Sequence, residues 1–344
     1  MKKYSKTITR FIAVSLCFVL LFLSCKTVNA AERKVHKSGD YQYYVIDKKA
    51  VIIKYTGKKK NVTIPKKLSK YKVTELYGVA FAYNEYITKV IIPDTVTVIR
   101  GGVFRGCENL KTVKLPETLL EIGGFCGCKN LKTVKLPESL IRIEAASFRD
   151  CVKLEKINLP KNLTEIPSQV FDGCRSLKSI TIPDKVTKID DMAFRNCGMK
   201  ELRIPKSVTE MGWQSIASCT NLESVAIEGE LESLVKKAFL NCTNLKSVTL
   251  PDGLKKIEKY AFMKCSSLTD INIPDSVVTI EDKAFHSCQS LETVNLGSGT
   301  EYIGSYAFKN CKKLSSFNVG NADVKYGENV FYGCDLLSFD GKGE

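Results

Sequence analysis

One pattern of 23 residues returns about a dozen times between residue 62 and the C-terminus, and a chain with such a period has few folds open to it. Its clearest copy, residues 242–264, reads CTNLKSVTLPDGLKKIEKYAFMK. As a template this is C-x-x-L-x-x-[VIL]-x-[LI]-P-x-x-[LV]-x-x-I-x-x-x-[AS]-F, with two variable residues before the next Cys. The marker Phe stands at 81, 104, 125, 148, 171, 194, 239, 262, 285, 308 and 331, with Ile216 in the same role. Phe104 to Phe125 is two residues short of the period and Phe194 to Ile216 is one short, around Gly198-Met199; both deletions are expected in turns, where backbone length is tolerated best. A repeat array grows by stacking. The period therefore overrules the two domains that 344 residues with 44% hydrophobic content would otherwise predict.

The spacing within one copy predicts its local structure. Val248 and Leu250 alternate with Ser247 and Thr249, the period-2 signature of a half-buried strand. Pro251 has no N–H for a ladder bond, so it ends the strand. Leu254 and Ile257 bring two more apolar groups inward from the returning arc. Ala261 and Phe262, shortly before Cys265, are read as a short helical or 3₁₀ turn that closes the coil. One coil alone cannot bury these side chains; stacked copies can, with each strand in parallel register on the next at ~4.8 Å.

Ahead of the array, Tyr41-Gln42-Tyr43-Tyr44-Val45-Ile46 and Ala50-Val51-Ile52-Ile53-Lys54-Tyr55 are β-rich runs joined by Asp47-Lys48-Lys49, a predicted hairpin. Val62-Thr63-Ile64-Pro65 already imitates the strand of a repeat. Residues 31–76 are thus expected to be a β cap over the apolar end of a solenoid formed by residues 77–344. At the very start, Lys2, Lys3, Lys6 and Arg10 precede an uncharged apolar run over residues 11–23, too short to favour a spanning helix. It reads as a secretory signal peptide, residues 1–30, cleaved after Val28-Asn29-Ala30. Leu21-Phe22-Leu23-Ser24-Cys25 offers the competing outcome of a lipid anchor at Cys25, and no second apolar run predicts a membrane span.

The residues at this point carry a family resemblance. Leu-x-x-Val-x-Leu resembles a leucine-rich repeat, and Pro after the strand, Ala-Phe before the turn and Cys at its end resemble the BspA-like (Treponema pallidum type) form, from about Val62 to the C-terminus. The opening GDYQYYVIDKKAVIIKYTG resembles the lead-in common in that family. The resemblance implies an α/β repeat solenoid, a right-handed coil with a parallel concave sheet. It also implies a secreted or cell-surface bacterial protein acting as an adhesin or binding module.

Chemistry-bearing constellations are sparse. Cys107, Cys128, Cys151, Cys174, Cys197, Cys219, Cys242, Cys265, Cys288, Cys311 and Cys334 occupy one template position, with Asn84 there in the first repeat. Adjacent coils lie within disulfide reach. Yet equivalent side chains point the same way, an odd number cannot all pair, and Asn84 fits a role in which a small side chain bonds a turn backbone. The C-x₂-C pairing of zinc sites is missing from this series, so no metal or cofactor is expected. Cys126 stands outside the series, as a reactive thiol, an intermolecular bridge or a bystander. His36 and His286 cannot assemble a triad, which argues against an enzyme. Gly297-Ser298-Gly299 lacks the Lys of a P-loop and replaces the Pro turn.

What varies between copies is the outward strand face. Lys89, Lys111, Lys114, Lys132, Lys135, Lys156, Asn158 and Arg203 form its basic part and are the candidate ligand face for an extracellular protein or acidic glycan. The chain's net charge is +15; the signal segment holds five cations and no acid, which leaves +10 without it. Export disfavours nucleic acid as the partner. An alternative reading is a structural, self-associating surface protein that forms a homodimer through its C-terminal coil.

Overall fold

The structure, a computed structural model, describes residues 34–338. The predicted signal peptide and Cys25 lie outside the described residues, as do residues 339–344. The array is a parallel-strand solenoid of about 12 turns, and each regular coil contributes two short strands to two separate ladders. The first ladder runs through Asn61–Thr63, Lys89–Ile91, Thr112–Lys114, Thr133–Val134 and Lys156–Ile157, all parallel. It resumes at Glu201–Ile204, Ser224–Ile227 and Ser247–Thr249, and again from Asp270–Asn272 to Ser316–Val319.

The returning arc is itself a strand. Lys256–Ile257 pairs in parallel with Ser233–Leu234 before it and Thr279–Ile280 after it, and every coil from Val98–Ile99 onward has such a second strand. Pro167 interrupts this ladder between Arg142–Ile143 and Glu165–Ile166. It stands where Glu144 donates its N–H to Ile122 and Asp190 to Ile166, and it has no N–H to give.

The expected helical closure is overturned: no helix occurs among the described residues, so the architecture is β rather than α/β. The reason lies in the backbone around the marker Phe. Tyr260 and Lys264, two residues either side of Phe262, both sit at φ 64°, and left-handed residues at such close intervals cannot belong to a right-handed helix. The Phe262 N–H therefore donates forward, to Ala284 O of the next coil at 2.7 Å, while Cys265 N closes a tight bond to Phe262 O at 3.0 Å. The same forward bond joins Phe148 to Val170 and Phe308 to Val330, so the turns form a third backbone ladder.

The core follows from these three edges. The Phe rings from Phe81 to Phe308 are fully buried and stack coil on coil in two runs, Phe81 to Phe194 and Phe239 to Phe308, on either side of Ile216, with Phe81–Phe104 and Phe285–Phe308 each at 5.0 Å. Each such side chain is worth about 1.5–3 kcal/mol on burial, which only a neighbouring coil can supply. The Cys series lies beside them, and each thiol donates to the carbonyl of the marker residue one coil back, from Cys107 to Phe81 at 3.0 Å through Cys334 to Phe308 at 3.1 Å. Asn84 makes the corresponding bond to Gly57 O at 3.1 Å. The small-side-chain role expected of this position is thus what the structure holds, and the described cysteines are unbridged.

The hairpin is also present: Tyr41–Ile46 pairs antiparallel with Lys49–Tyr55 across Asp47 and Lys48, both at positive φ as a primed turn requires. Tyr55 stacks on Phe81 at 5.0 Å and so begins the aromatic column. The two shortened intervals fall in turns where backbones nearly touch. A Cβ at Gly124 would meet Gly101 O at 2.5 Å, and one at Gly198 would meet Arg175 O at 2.1 Å; only glycine admits that approach.

Candidate functional site

Registers along the first ladder decide which face residues become neighbours. Asn61, Lys89, Thr112, Thr133 and Lys156 stand opposite one another in one row, and Thr63, Ile91 and Lys114 in the next, two residues along. All eight candidate face residues are exposed.

Four of the eight, Lys135, Lys156, Asn158 and Arg203, line an open groove of about 1060 Å³ across this face; Lys89, Lys111, Lys114 and Lys132 lie outside its lining. The groove lies where the first ladder breaks. Residues 179–182 hold the strand position of their coil yet belong to no sheet. Its floor is apolar, with Ile157, Leu159, Ile180 and Ile182, and its rim adds Lys161 and Lys185.

Lys161 and Lys185 were missed by reading strand positions alone. The available signal was the residue after the strand-ending Pro, which is acidic in Glu117, Glu138, Asp184, Asp252 and Asp275 but is Lys161 in this coil.

Electrostatically the early coils of the first ladder differ from the second ladder and from their own later coils, where Arg203–Glu228 and Lys246–Glu223 pair. On the second, charges neutralise each other: Glu121 takes Arg100 at 3.0 Å and Arg142 at 4.0 Å, Lys188 takes Asp190 at 3.0 Å, and Lys256 takes Glu281 at 2.6 Å. On the first, no ion pair among the described residues involves Lys89, Lys111, Lys114, Lys132, Lys135 or Lys156. A row of unneutralised ammonium groups over apolar strand residues raises the local concentration of anions.

Two of the eight are already engaged. Arg203 is clamped by Glu228, with Nε at 2.8 Å and Nη2 at 2.7 Å, and these hydrogen bonds hold the guanidinium pKa above its ordinary value. Asn158 turns its carboxamide onto the previous coil, accepting from Leu136 N and donating to Leu136 O, each at 3.0 Å. Both therefore shape the groove rather than offer it a free group.

The remaining constellations are structural. Cys126 is half-buried, and burial raises its thiol pKa above the usual value, which removes the basis for a reactive thiolate. Ser298 donates through N and Oγ to Asp275 Oδ1 at 2.7 and 3.0 Å, so the Gly297-Ser298-Gly299 stretch is a turn locked onto the coil beneath it. No group of three or more His, Cys, Asp or Glu among the described residues is placed to hold a metal ion. No helix among them is long and apolar enough to cross a membrane.

A second surface feature also went unread. Lys237 lies over Trp213 at 5.5 Å and Tyr260 at 5.8 Å, Lys283 over Tyr260 and Tyr306, and Lys309 over Tyr306 and Tyr332 at 4.7 Å, a cation–π column along the turns of the C-terminal half. Its signal was the alternation of Lys and Tyr just before Ala-Phe in successive copies.

Comparison with known proteins places this geometry. The BspA type leucine rich repeat region matches in 6 copies, over residues 74–126, 120–223 and 214–338. A leucine rich cell surface protein from Faecalibacterium prausnitzii A2-165 is similar in structure, with a TM-score of 0.58 and 25% identity, covering 83% of this chain and 94% of that one. The leucine rich repeat protein of T. pallidum matches at 24% identity and a TM-score of 0.38, over 68% of this chain and 91% of its own. That of Eubacterium ventriosum ATCC 27560 matches at 22% and 0.49, over 79% and 93%. No curated protein matches.

Proposed function

Because this chain belongs to the BspA-type leucine-rich-repeat family, we propose that it is a noncatalytic binding protein, secreted or held at a bacterial cell surface, whose first-ladder face captures an acidic extracellular protein or glycan. The observation that carries the reading is that Lys89, Lys114, Lys135 and Lys156 stand without ion pairs on the early coils of the first ladder, whereas its later coils and the second ladder carry pairs such as Arg203–Glu228, Lys246–Glu223 and Lys256–Glu281. The similar cell surface protein of F. prausnitzii supports the location.

The test is reversal of Lys89, Lys114, Lys135 and Lys156 to Glu, followed by binding to heparin and to extracellular matrix at several salt concentrations. A loss of tenfold or more, with the wild type weakening as salt rises, is the expected result. Undiminished binding by the reversed protein would overturn the reading. Mass spectrometry of the native N-terminus assigns the mode of export, Ala31 for simple cleavage or an acylated Cys25 for a lipid anchor.

One observation favours a second reading, self-association: Tyr332 and Leu336 on the last described coil are each 61% exposed. Light scattering of a Leu336→Glu variant tests it, since a dimer built on that coil becomes a monomer.

A further inference from the structure

Two columns of residues flank the cysteine column along the turns. The residue before each Cys gives one, with Asn196, Ser218 and Asn241 at φ 57°, 58° and 61° in successive coils. The residue after it gives the other, with Arg175, Gly198 and Thr220. Gly198 is a gap in that second column. It stands at the one-residue deletion, where a Cβ would meet Arg175 O at 2.1 Å, so the position holds no side chain. Between the columns the gap opens a notch of about 310 Å³, with Cys197 and Gly198 in its lining.

The polar groups of the notch are uncommitted. Among the described residues, the side chains of Arg175, Ser218, Thr220, Asn221 and Asn241 make no hydrogen bond or ion pair. Asn109 and Asn130, placed like Asn221 two residues after a Cys, donate to Glu85 O and Glu108 O of the coil before, each at 2.8 Å. Across the shortened turn Asn221 makes no such bond to Gly198. Gly198 is buried, and its N–H makes no backbone hydrogen bond among the described residues, although buried backbone donors are ordinarily satisfied. Asp172, which Asn196 touches at 3.3 Å, is already gripped by Arg195, so no carboxylate of the chain answers Arg175.

We propose that this notch binds a carboxylated sugar, a hexuronate unit, with its carboxylate on the Arg175 guanidinium and the Gly198 N–H and its hydroxyls on Ser218, Asn221 and Asn241. A guanidinium matches a carboxylate in shape and charge. Hydroxyls and carboxamides both donate and accept, as sugar hydroxyls do. The lining holds no Val, Leu, Ile, Met or aromatic side chain, so it does not suit the apolar ligands that most pockets take. Its volume is at the lower end of ligand sites and fits one ring rather than a chain. The notch shares no residue with the lysine face or its groove, so binding here is independent of binding there.

The experiment is a titration of the full chain, followed by proton–nitrogen correlation spectra, with sodium glucuronate, glucose and sodium acetate in turn. The expected result is a saturable shift of the Gly198 amide and the Asn241 carboxamide with glucuronate, in the millimolar range. Arg175→Ala weakens that binding about tenfold or more, the loss expected for a hydrogen bond to a charged group. Arg175 is exposed, so the variant should melt with the wild type, and the Gly198 shift in the unaltered chain is a readout that needs no variant. Absence of a saturable shift at Gly198, or equal binding by Arg175→Ala, overturns the site. Glucose binding as well as glucuronate overturns the role of the carboxylate, and acetate binding as well as glucuronate overturns the sugar assignment.

Discussion

The thiol of Cys265 donates to the carbonyl of Phe239 one coil back, at 3.2 Å, and both residues are fully buried. The same relation from Cys107 to Cys334 makes the cysteines a hydrogen-bonded column rather than a redox device. Burial raises the Cys107 pKa from 9.0 to about 11 and that of Cys265 well above its usual value. The folded state then holds its thiol protons where the unfolded chain releases them. Stability is complete below about pH 9 and falls as pH rises from there toward and beyond 11. The loss is about 1.4 kcal/mol per pH unit within that window for each thiol raised in this way. Thermal melts from pH 8 to 10.5 check this, with a variant carrying several Cys→Ser substitutions showing the shallower decline.

Native protection follows from the same column. Brief alkylation of the folded chain should label Cys126, which is half-buried, well before the buried column cysteines. Labelling of the column should wait for unfolding. Peptide mass spectrometry after a timed iodoacetamide pulse reads this directly.

Ser215 and Ser147 both precede a marker residue, where Ala193, Ala238 and Ala261 stand in other coils, yet they differ in satisfaction. Ser147 Oγ donates to Glu144 O, whereas Ser215 Oγ is buried without a partner. An unsatisfied buried hydroxyl costs about 1–3 kcal/mol. Ser215→Ala is therefore expected to stabilise the array by about 1 kcal/mol, and Ser147→Ala to leave it unchanged or weaken it, as urea midpoints will show.

The legible part of this fold was the part carried by spacing. Val248, Leu250, Leu254, Ile257 and Phe262 face the core where the 23-residue period puts them, because burial repeats with the coil. Closure of the coil was not legible. Left-handed backbone at Tyr260, Lys264 and Ser287 is imposed by stacking, and those residue types do not announce it. Of the site, the lysines could be read from strand positions. The groove could not, because it is a failure of pairing between coils that look alike in sequence, and Arg203 gave no sign of its clamp by Glu228.

Those left-handed positions give an internal comparison. Lys264 occupies the column that holds Gly106, Gly127, Gly173 and Gly333, all at positive φ. A non-glycine residue there costs about 1–2 kcal/mol in the backbone, so Lys264→Gly is expected to raise stability by up to about 1 kcal/mol after the added chain entropy. Tyr306 has the same backbone but lies between Lys283 and Lys309 at 5.6 and 5.1 Å. Tyr306→Gly gains the same relief and loses two cation–π contacts of about 0.5–1 kcal/mol each. Its melting temperature should match the wild type within error or fall below it, and a rise equal to that of Lys264→Gly would show the column to be energetically empty.

Asp172 is the carboxylate on which the middle coils depend. Its side chain is buried, and Arg195 grips it with Nε to Oδ1 at 3.0 Å and Nη2 to Oδ2 at 2.7 Å, while Asn196 adds a bond at 3.3 Å. The hydrogen bond to Asp172 is the leading cause of the raised pKa of Arg195. Removing Arg195 leaves the buried carboxylate with the Asn196 amide and the Arg149 Nε at 3.8 Å; losing one partner of a buried pair costs about 3–5 kcal/mol, and Arg149 moves the expectation to the low end. Arg195→Met should lower stability by that order and make it more sensitive to pH near neutrality. Adding Asp172→Asn should recover much of the loss, since the double variant buries no charge at all. If the double variant is instead as unstable as Arg195→Met, the guanidinium matters as packing over the coil rather than as the partner of Asp172.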